Sequence, residues 1–239
     1  MQQMFEYQYG QLNYLTPLLK WRIMDVKSLK EASEFPKNYY SFCRVIRNLE
    51  EKKLLLSQRD PTNRKKYVYL SSLGEQALSG DEGTILIHPE TLNHDRWVSE
   101  IIQGMLVRGW ILDFKLEHEI KSKGISSISH GLIPDAILKG EKQKVNFTMA
   151  FELELTRKNF PRMVEKLRQY AYGKEYDYFF YLFTNPRLME TYRQLIKEKV
   201  SDEFHEQFML FCGDESMKLE DFYGYAVGKK TTLKELFQE

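Results

Sequence analysis

The sequence predicts an α+β protein of two domains: a helical head closed by a β-hairpin over residues 1–80, and a larger mixed sheet with helices on it over residues 84–239. Three observations carry this. Apolar residues recur at helical spacing through the first 50 residues, and two short apolar runs around a polar tip follow them. A small, acidic stretch, Ser79-Gly80-Asp81-Glu82-Gly83, then interrupts the pattern and marks a boundary. Beyond it, strand-like and helical runs alternate in the order α-β-β-β-α-β-α-β, the pattern of a mixed sheet covered by helices.

In the head, Leu12, Leu15, Leu18 and Leu19 fall at helical spacing. A second helix is expected from Ser28, with Glu31 completing a Ser-x-x-Glu capping box. It should stop before Phe35-Pro36, because proline disfavours helix in the residue before it. A third helix is expected from Asn38, a favourable N-cap, with Phe42, Val45, Ile46 and Leu49 as its apolar stripe. Leu54-Leu55-Leu56 and Tyr67-Val68-Tyr69-Leu70 flank the tip Arg59–Lys66 and read as a hairpin. Ser72-Leu73-Gly74-Glu75 opens another short helix.

In the body, residues 91–108 read as a helix with Trp97, Ile101, Ile102, Met105 and Leu106 on one face. Strands are expected at 110–114, 132–138 and 145–155, with a turn at Lys139-Gly140-Glu141-Lys142. A helix over 160–172, with Met163, Val164, Leu167 and Tyr170 inward, leads to a strand at 178–183, a helix at 188–200 and a strand at 207–212. The aromatic run 176–183 reads as a buried strand rather than a surface for stacking bases.

Composition narrows the functional classes. Of 239 residues, 42% are hydrophobic and 29% charged, as in an ordinary globular protein. No apolar run approaches the roughly 20 residues of a membrane helix, and the N-terminus has no secretory pattern. Cys43 and Cys212 both sit in apolar contexts, which fits a cytoplasmic location. The five histidines and two cysteines show no zinc spacing. His94 precedes a helix, and His130 lies five residues before Asp135. No glycine-rich nucleotide loop or Gly-x-Ser-x-Gly elbow occurs. The net charge of +1 hides an asymmetry: residues 1–80 carry 13 Lys/Arg and 8 Asp/Glu, the remainder 22 and 26. A basic head on an acidic body points to a polyanionic partner at the head.

Helix, helix-turn-helix and hairpin form the winged-helix order. The segment 35–78 resembles the MarR-type winged-helix regulators: a helix ending in Leu49-Glu50-x-x-x-Leu54, a wing running Arg59-Asp60 to Arg64-Lys65-Lys66, and the close Leu70-Ser71-Ser72-Leu73-Gly74. Lys53 stands where that family has a turn glycine, and the long dimerisation helices are missing, so the resemblance leaves the oligomeric state open. A recognition helix sets its first turns against base edges in the major groove of duplex DNA. Tyr40, Ser41, Arg44 and Arg47 lie opposite the apolar stripe. An arginine can donate two hydrogen bonds to guanine. Arg64, Lys65, Lys66 and Lys37 suit contacts with the DNA backbone, which add affinity without reading sequence.

In the body, Glu152 and Glu154 share one strand face, and if Asp135 ends a neighbouring strand, three carboxylates converge. Converging carboxylates call for a cation, and Mg2+ prefers such oxygen ligands. Pro134-Asp135 followed by Glu152-x-Glu154 resembles the PD-(D/E)xK nucleases, of the restriction-endonuclease-like fold. That resemblance implies catalysis through Asp135, Glu152 and Glu154, with Asp135 and Glu152 as metal ligands. Glu154 replaces the usual lysine, and Lys166 on the following helix is its substitute. Glu100 stands where some members carry an extra acid. Taken together, the winged helix, Phe151-Glu152-Leu153-Glu154-Leu155-Thr156 and Lys166-Leu167-x-x-Tyr170 resemble the replication-relaxation family of plasmids and integrative elements. The resemblance implies a duplex-DNA-binding accessory or regulatory protein in replication, DNA processing or transfer, working with other DNA-processing proteins. In that reading the nuclease-like domain need not cut and can serve as a DNA clamp or contact platform; a Mg2+-dependent endonuclease targeted by the winged helix and a protein-contact module without DNA binding are the alternatives. A strand with one wet face would also alternate Glu, Leu, Glu, Leu.

Overall fold

The computed structural model describes residues 10–80, 85–122, 132–173 and 175–238. They form two compact units, divided between Glu100 and Ile101.

The first unit opens with a 3-10 turn and a short helix α1 (Pro17–Trp21), then β1 (Ile23–Asp25), α2 (Val26–Ala32) and α3 (Tyr39–Glu51). Strands β2 (Leu55–Arg59) and β3 (Lys66–Leu70) and helix α4 (Ser72–Ser79) follow. The three strands form an antiparallel sheet in the order β1-β3-β2. Asp25, not Ser28, caps α2: its carboxylate accepts from the Lys27 and Ser28 amides, and the Ser28 hydroxyl donates to it. The charged cap adds favourable charge at the helix start, so the Ser28–Glu31 box is not used. Asn38 caps α3, accepting from the Ser41 amide at 2.9 Å. Ser71, one residue before the expected start, caps α4.

The core of this unit gathers Leu12, Leu15, Leu18, Met24, Leu29, Phe42, Ile46, Leu49, Val68 and Leu70, and it also includes Ile85. Leu92 joins Ile23 and Tyr67 in a second cluster. Arg22 donates to the carbonyls of Ile85 and Leu86 and pairs with Asp95 at 3.2 Å. Apolar packing therefore carries the first unit past residue 80 and into helix α5 (Leu92–Val107). Asp81, Glu82 and Gly83 lie outside the described residues.

The second unit contains a seven-stranded sheet in the order β10-β9-β8-β7-β6-β5-β4. Strands β4 (Asp113–Leu116), β5 (Ala136–Lys142) and β6 (Val145–Glu154) form an antiparallel meander, with α6 (Glu117–Ser122) following β4. Helix α7 (Phe160–Gly173) crosses to β7 (Tyr178–Phe183), parallel to β6. Helix α8 (Pro186–Lys199) crosses to β8 (Phe208–Cys212), parallel to β7. Strands β9 (Tyr223–Ala226) and β10 (Lys229–Thr232) extend the sheet antiparallel, and α9 (Leu233–Gln238) ends it.

The expected elements therefore appear in order, with several differences, among them the helix α6 between the first two strands and a second strand that begins at Ala136 rather than at Leu132. The segment Lys139–Lys142 is strand rather than turn. The turn is Gln143-Lys144, both in left-handed backbone, and Gly140 is needed because a Cβ there would meet the Phe147 ring at 2.2 Å. The first strand begins at Asp113, not at Trp110. Strands β9 and β10 and helix α9 carry no strong periodicity and were not expected.

One face of the sheet, with Ala150, Phe179, Tyr181, Phe183 and Leu210, packs on Met163, Leu167 and Tyr170 of α7 and Met189, Tyr192 and Ile196 of α8.

Candidate functional site

Two groups of residues carry chemistry, one in each unit. In the first unit, α3 buries Phe42, Ile46 and Leu49, which turns Tyr40, Arg44 and Arg47 outward. Tyr40 is 81% exposed. Lys37 is exposed just ahead of the helix, and Ser41 is half-buried. Arg44 and Arg47 make no ion pair among the described residues.

The β2–β3 loop is fixed by Asp60. Its carboxylate accepts from the Thr62 and Asn63 amides and pairs with Arg96 at 3.1 Å. Burial opposes its ionisation, but those amides and the Arg96 guanidinium hold it below its usual value. The loop's basic residues do not act alike. Arg64 is exposed in left-handed backbone. Lys65 pairs with Glu100 at 3.0 Å and Lys66 with Glu50 at 2.6 Å. Glu100 also accepts from the Tyr67 hydroxyl and from Arg96. In this unit it is thus a partner of the loop, and these bonds account for an acid that sequence reasoning assigned elsewhere.

In the second unit, register places Phe151 beside Ala136, which sets Asp135 next to Glu152 and Leu153. The Leu153 amide donates to Asp135 Oδ2 at 2.8 Å. Glu152 and Glu154 are each 1% exposed. They lie on the face covered by α7 and α8, which overturns the wet-face reading. Lys166 Nζ reaches Glu152 Oε2 at 2.5 Å and Glu154 Oε1 at 3.6 Å. Asp135, Glu152, Glu154 and Lys166 are therefore brought together.

Two further polar groups join the cluster: Tyr170, expected inward on its helix and part of the motif that carries the family resemblance, and Lys158, which sequence reasoning missed. The Tyr170 hydroxyl donates to Glu152 Oε1, and Lys158 Nζ donates to Glu154 Oε1 at 2.8 Å. Lys158 lies in the loop after β6, where no helical spacing marks it, whereas Tyr170 follows Lys166 by one turn of α7. The Tyr181 hydroxyl is buried without a partner among the described residues, and the buried Tyr192 hydroxyl lies against the Glu154 carboxylate.

Burial pushes Glu152 up to about 7; Lys166 opposes the rise and Asp135 adds to it. For Lys166, burial disfavours the ammonium, but Glu152, Glu154 and Asp135 outweigh it and keep the group above its ordinary value. Burial and the Glu152 charge hold Tyr170 protonated. The cluster is thus an ammonium shared by two buried carboxylates, with a third carboxylate beside them.

Among the described residues, no group of three His, Cys, Asp or Glu is arranged to hold a metal ion. Two carboxylates, Asp135 and Glu152, are still enough for Mg2+, which keeps several of its waters. His130 lies outside the described residues. His205 is engaged with the Val200 carbonyl at 3.0 Å. Among the described residues, no helix is long and apolar enough to cross a membrane. No protein-family model matches the chain, and no curated protein matches it in sequence.

Proposed function

We propose that the chain binds double-stranded DNA through a winged helix-turn-helix formed by α2, α3 and the β2–β3 wing. One observation carries this reading: Arg44 and Arg47 stand exposed and unpaired on α3 beside Tyr40, opposite a fully buried apolar stripe. Arg64 and Lys37 supply backbone contacts, and Lys65 and Lys66 join them only by exchanging their glutamate partners for phosphate. The biological role that fits is an accessory or regulatory protein of a plasmid or integrative element. The test is binding to the DNA upstream of its own gene, measured by anisotropy. Each arginine contact with guanine is worth about 1–3 kcal/mol, so Arg44→Ala with Arg47→Ala should erase the preference for specific over random duplex. Unchanged specificity would sink the assignment. Binding that is insensitive to salt would favour a protein-contact module instead, because phosphate contacts weaken as salt rises.

A second reading, a Mg2+-dependent endonuclease of PD-(D/E)xK type, is favoured by the placement of Lys166 against Glu152 and Glu154. The antiparallel meander followed by a parallel crossover also fits that fold. Asp135 and Glu152 would hold the ion, which supplies charge neutralisation and an activated water when bound. Lys166 would place positive charge beside the phosphate, and Tyr170 would fix the Glu152 carboxylate. Supercoiled plasmid incubated with Mg2+ or Mn2+ tests this. Nicking that persists in Asp135→Ala excludes the assigned residues, and no nicking by the wild type leaves the domain a nuclease-like scaffold.

A further inference from the structure

The face of the second unit's sheet opposite the carboxylates holds a half-open groove of about 280 Å3. Val145, Phe147 and Met149 of β6, Tyr178 of β7 and Met209 of β8 contribute to its lining. Leu236 and Phe237 of α9 close one side, and both neighbouring hairpins reach it, through Lys142 and Gln143 on one and Val227 on the other. Its apolar rim is open to solvent: Val145 is 68% exposed and Val227 44%.

The two hairpin turns that bound the groove are strained in the same way. Gln143 and Lys144 have φ of 52° and 67°, and Val227 and Gly228 have φ of 49° and 73°. Two-residue hairpin turns of this hand favour Asn-Gly, and a β-branched residue at positive φ is an outlier. Val227 is therefore a poor choice for the turn it occupies, and its exposure shows that the core does not require it. Strain of this kind is kept at ligand clamps. Of the hairpin lysines, Lys142 lines the groove, Lys144 stands between the lining residues Gln143 and Val145, and Lys229 follows the turn that holds Val227. Lys142, Lys144 and Lys229 are exposed and in no ion pair among the described residues. Lys142 leans over the groove to donate to the Leu236 carbonyl at 2.8 Å. Of the acids next to lining residues, Glu141 is turned to the other face by strand alternation, Glu235 accepts from Thr231 and Thr232, and Asp177 accepts from the Thr148 amide.

We propose that this groove receives a short acidic peptide segment of a partner protein, seating one or two apolar side chains between Val145, Met209 and Val227, with its carboxylates on Lys142, Lys144 and Lys229. The volume is just below the roughly 300–1,000 Å3 of small-molecule pockets, a size for side chains rather than for a whole cofactor. The proposal does not depend on DNA binding by the first unit.

The test pans a random twelve-residue peptide display library on the full chain, with subtraction on Val227→Asn. Asn suits the turn, so that variant folds at least as well as the wild type. The expected result is enrichment of peptides combining apolar residues with two or more Asp or Glu. A synthetic representative should bind at least tenfold more weakly to Val227→Asn and to Lys144→Glu. Absence of enrichment over the variant, enrichment of neutral or basic peptides, or equal binding by wild type and variants would each overturn the proposal. So would binding to phosphatidylglycerol vesicles, or self-association, that depends on the same residues while peptides fail to bind.

Discussion

Replacing Glu152 by glutamine should change how stability depends on pH more than it changes stability at any one pH. The wild-type carboxyl is 1% exposed, and burial raises it from 4.5 to about 7 in spite of Lys166. A folded value above the unfolded one means that the native state keeps a proton which the unfolded chain releases between those two pH values. The contribution is therefore fully present below about pH 4.5 and is lost as pH rises through 7. At about 1.4 kcal/mol for each tenfold difference, the whole effect is roughly 3 kcal/mol, most of which falls between pH 5 and 8. Glutamine cannot ionise, yet its amide can still accept from Lys166 and donate to the Tyr170 oxygen. Urea unfolding of both proteins at pH 5, 6, 7 and 8, followed by hydrogen exchange of the β6 and β7 amides, isolates the second unit. The wild type should lose on the order of 2 kcal/mol relative to Glu152→Gln across that range. Parallel profiles, or a wild type that gains on the variant as pH rises, would refute the reasoning.

Two further predictions concern the backbone of the first unit. Asn38→Ala removes the acceptor for the Ser41 amide at the start of α3 and should lower that unit's stability by about 0.5–2 kcal/mol, read by urea unfolding. Lys53 follows α3 with φ of 58°, so Lys53→Gly should raise the melting temperature, with a gain of about 1 kcal/mol from relief of the left-handed backbone.

How much of this was legible in the sequence depends on whether the cause is local. The Phe42, Ile46, Leu49 stripe and the buried run 178–183 follow from periodicity alone, and both stand where they were expected. Asp25 and Ser28 were both acceptable caps by composition, and the choice between them rests on a carboxylate that binds two amides at once. The β5–β6 turn was misplaced because glycine marks turns. Here Gly140 instead makes room for the Phe147 ring, and the turn falls on two residues with no local signature. Strand β9 gains its identity from pairing with β8, and β10 from pairing with β9. Against β8, Gly224 is required because a Cβ would lie 1.8 Å from the Leu210 carbonyl oxygen. No pattern within Tyr-Gly-Tyr-Ala reveals a neighbour in another strand.

The carboxylates show the same limit more sharply. Alternation places Glu152 and Glu154 on one face of β6 but cannot say whether that face is wet or dry. The answer lies with α7 and α8, which cover it. Once covered, Glu152 needs partners, and one helix supplies both: Lys166 and Tyr170, a turn apart on α7, each bond one of its oxygens. A buried ion pair of this kind contributes little net stability over apolar residues of the same shape, because desolvation offsets the attraction. The buried Tyr181 hydroxyl, without a partner among the described residues, adds further cost. Core packing alone would have been served better by leucine and phenylalanine at these positions. An expensive polar cluster at the centre of an otherwise apolar face is thus better explained by what the cluster does than by what it holds together, and Asp135, Glu152 and Lys166 are where chemistry in the second unit should be sought first.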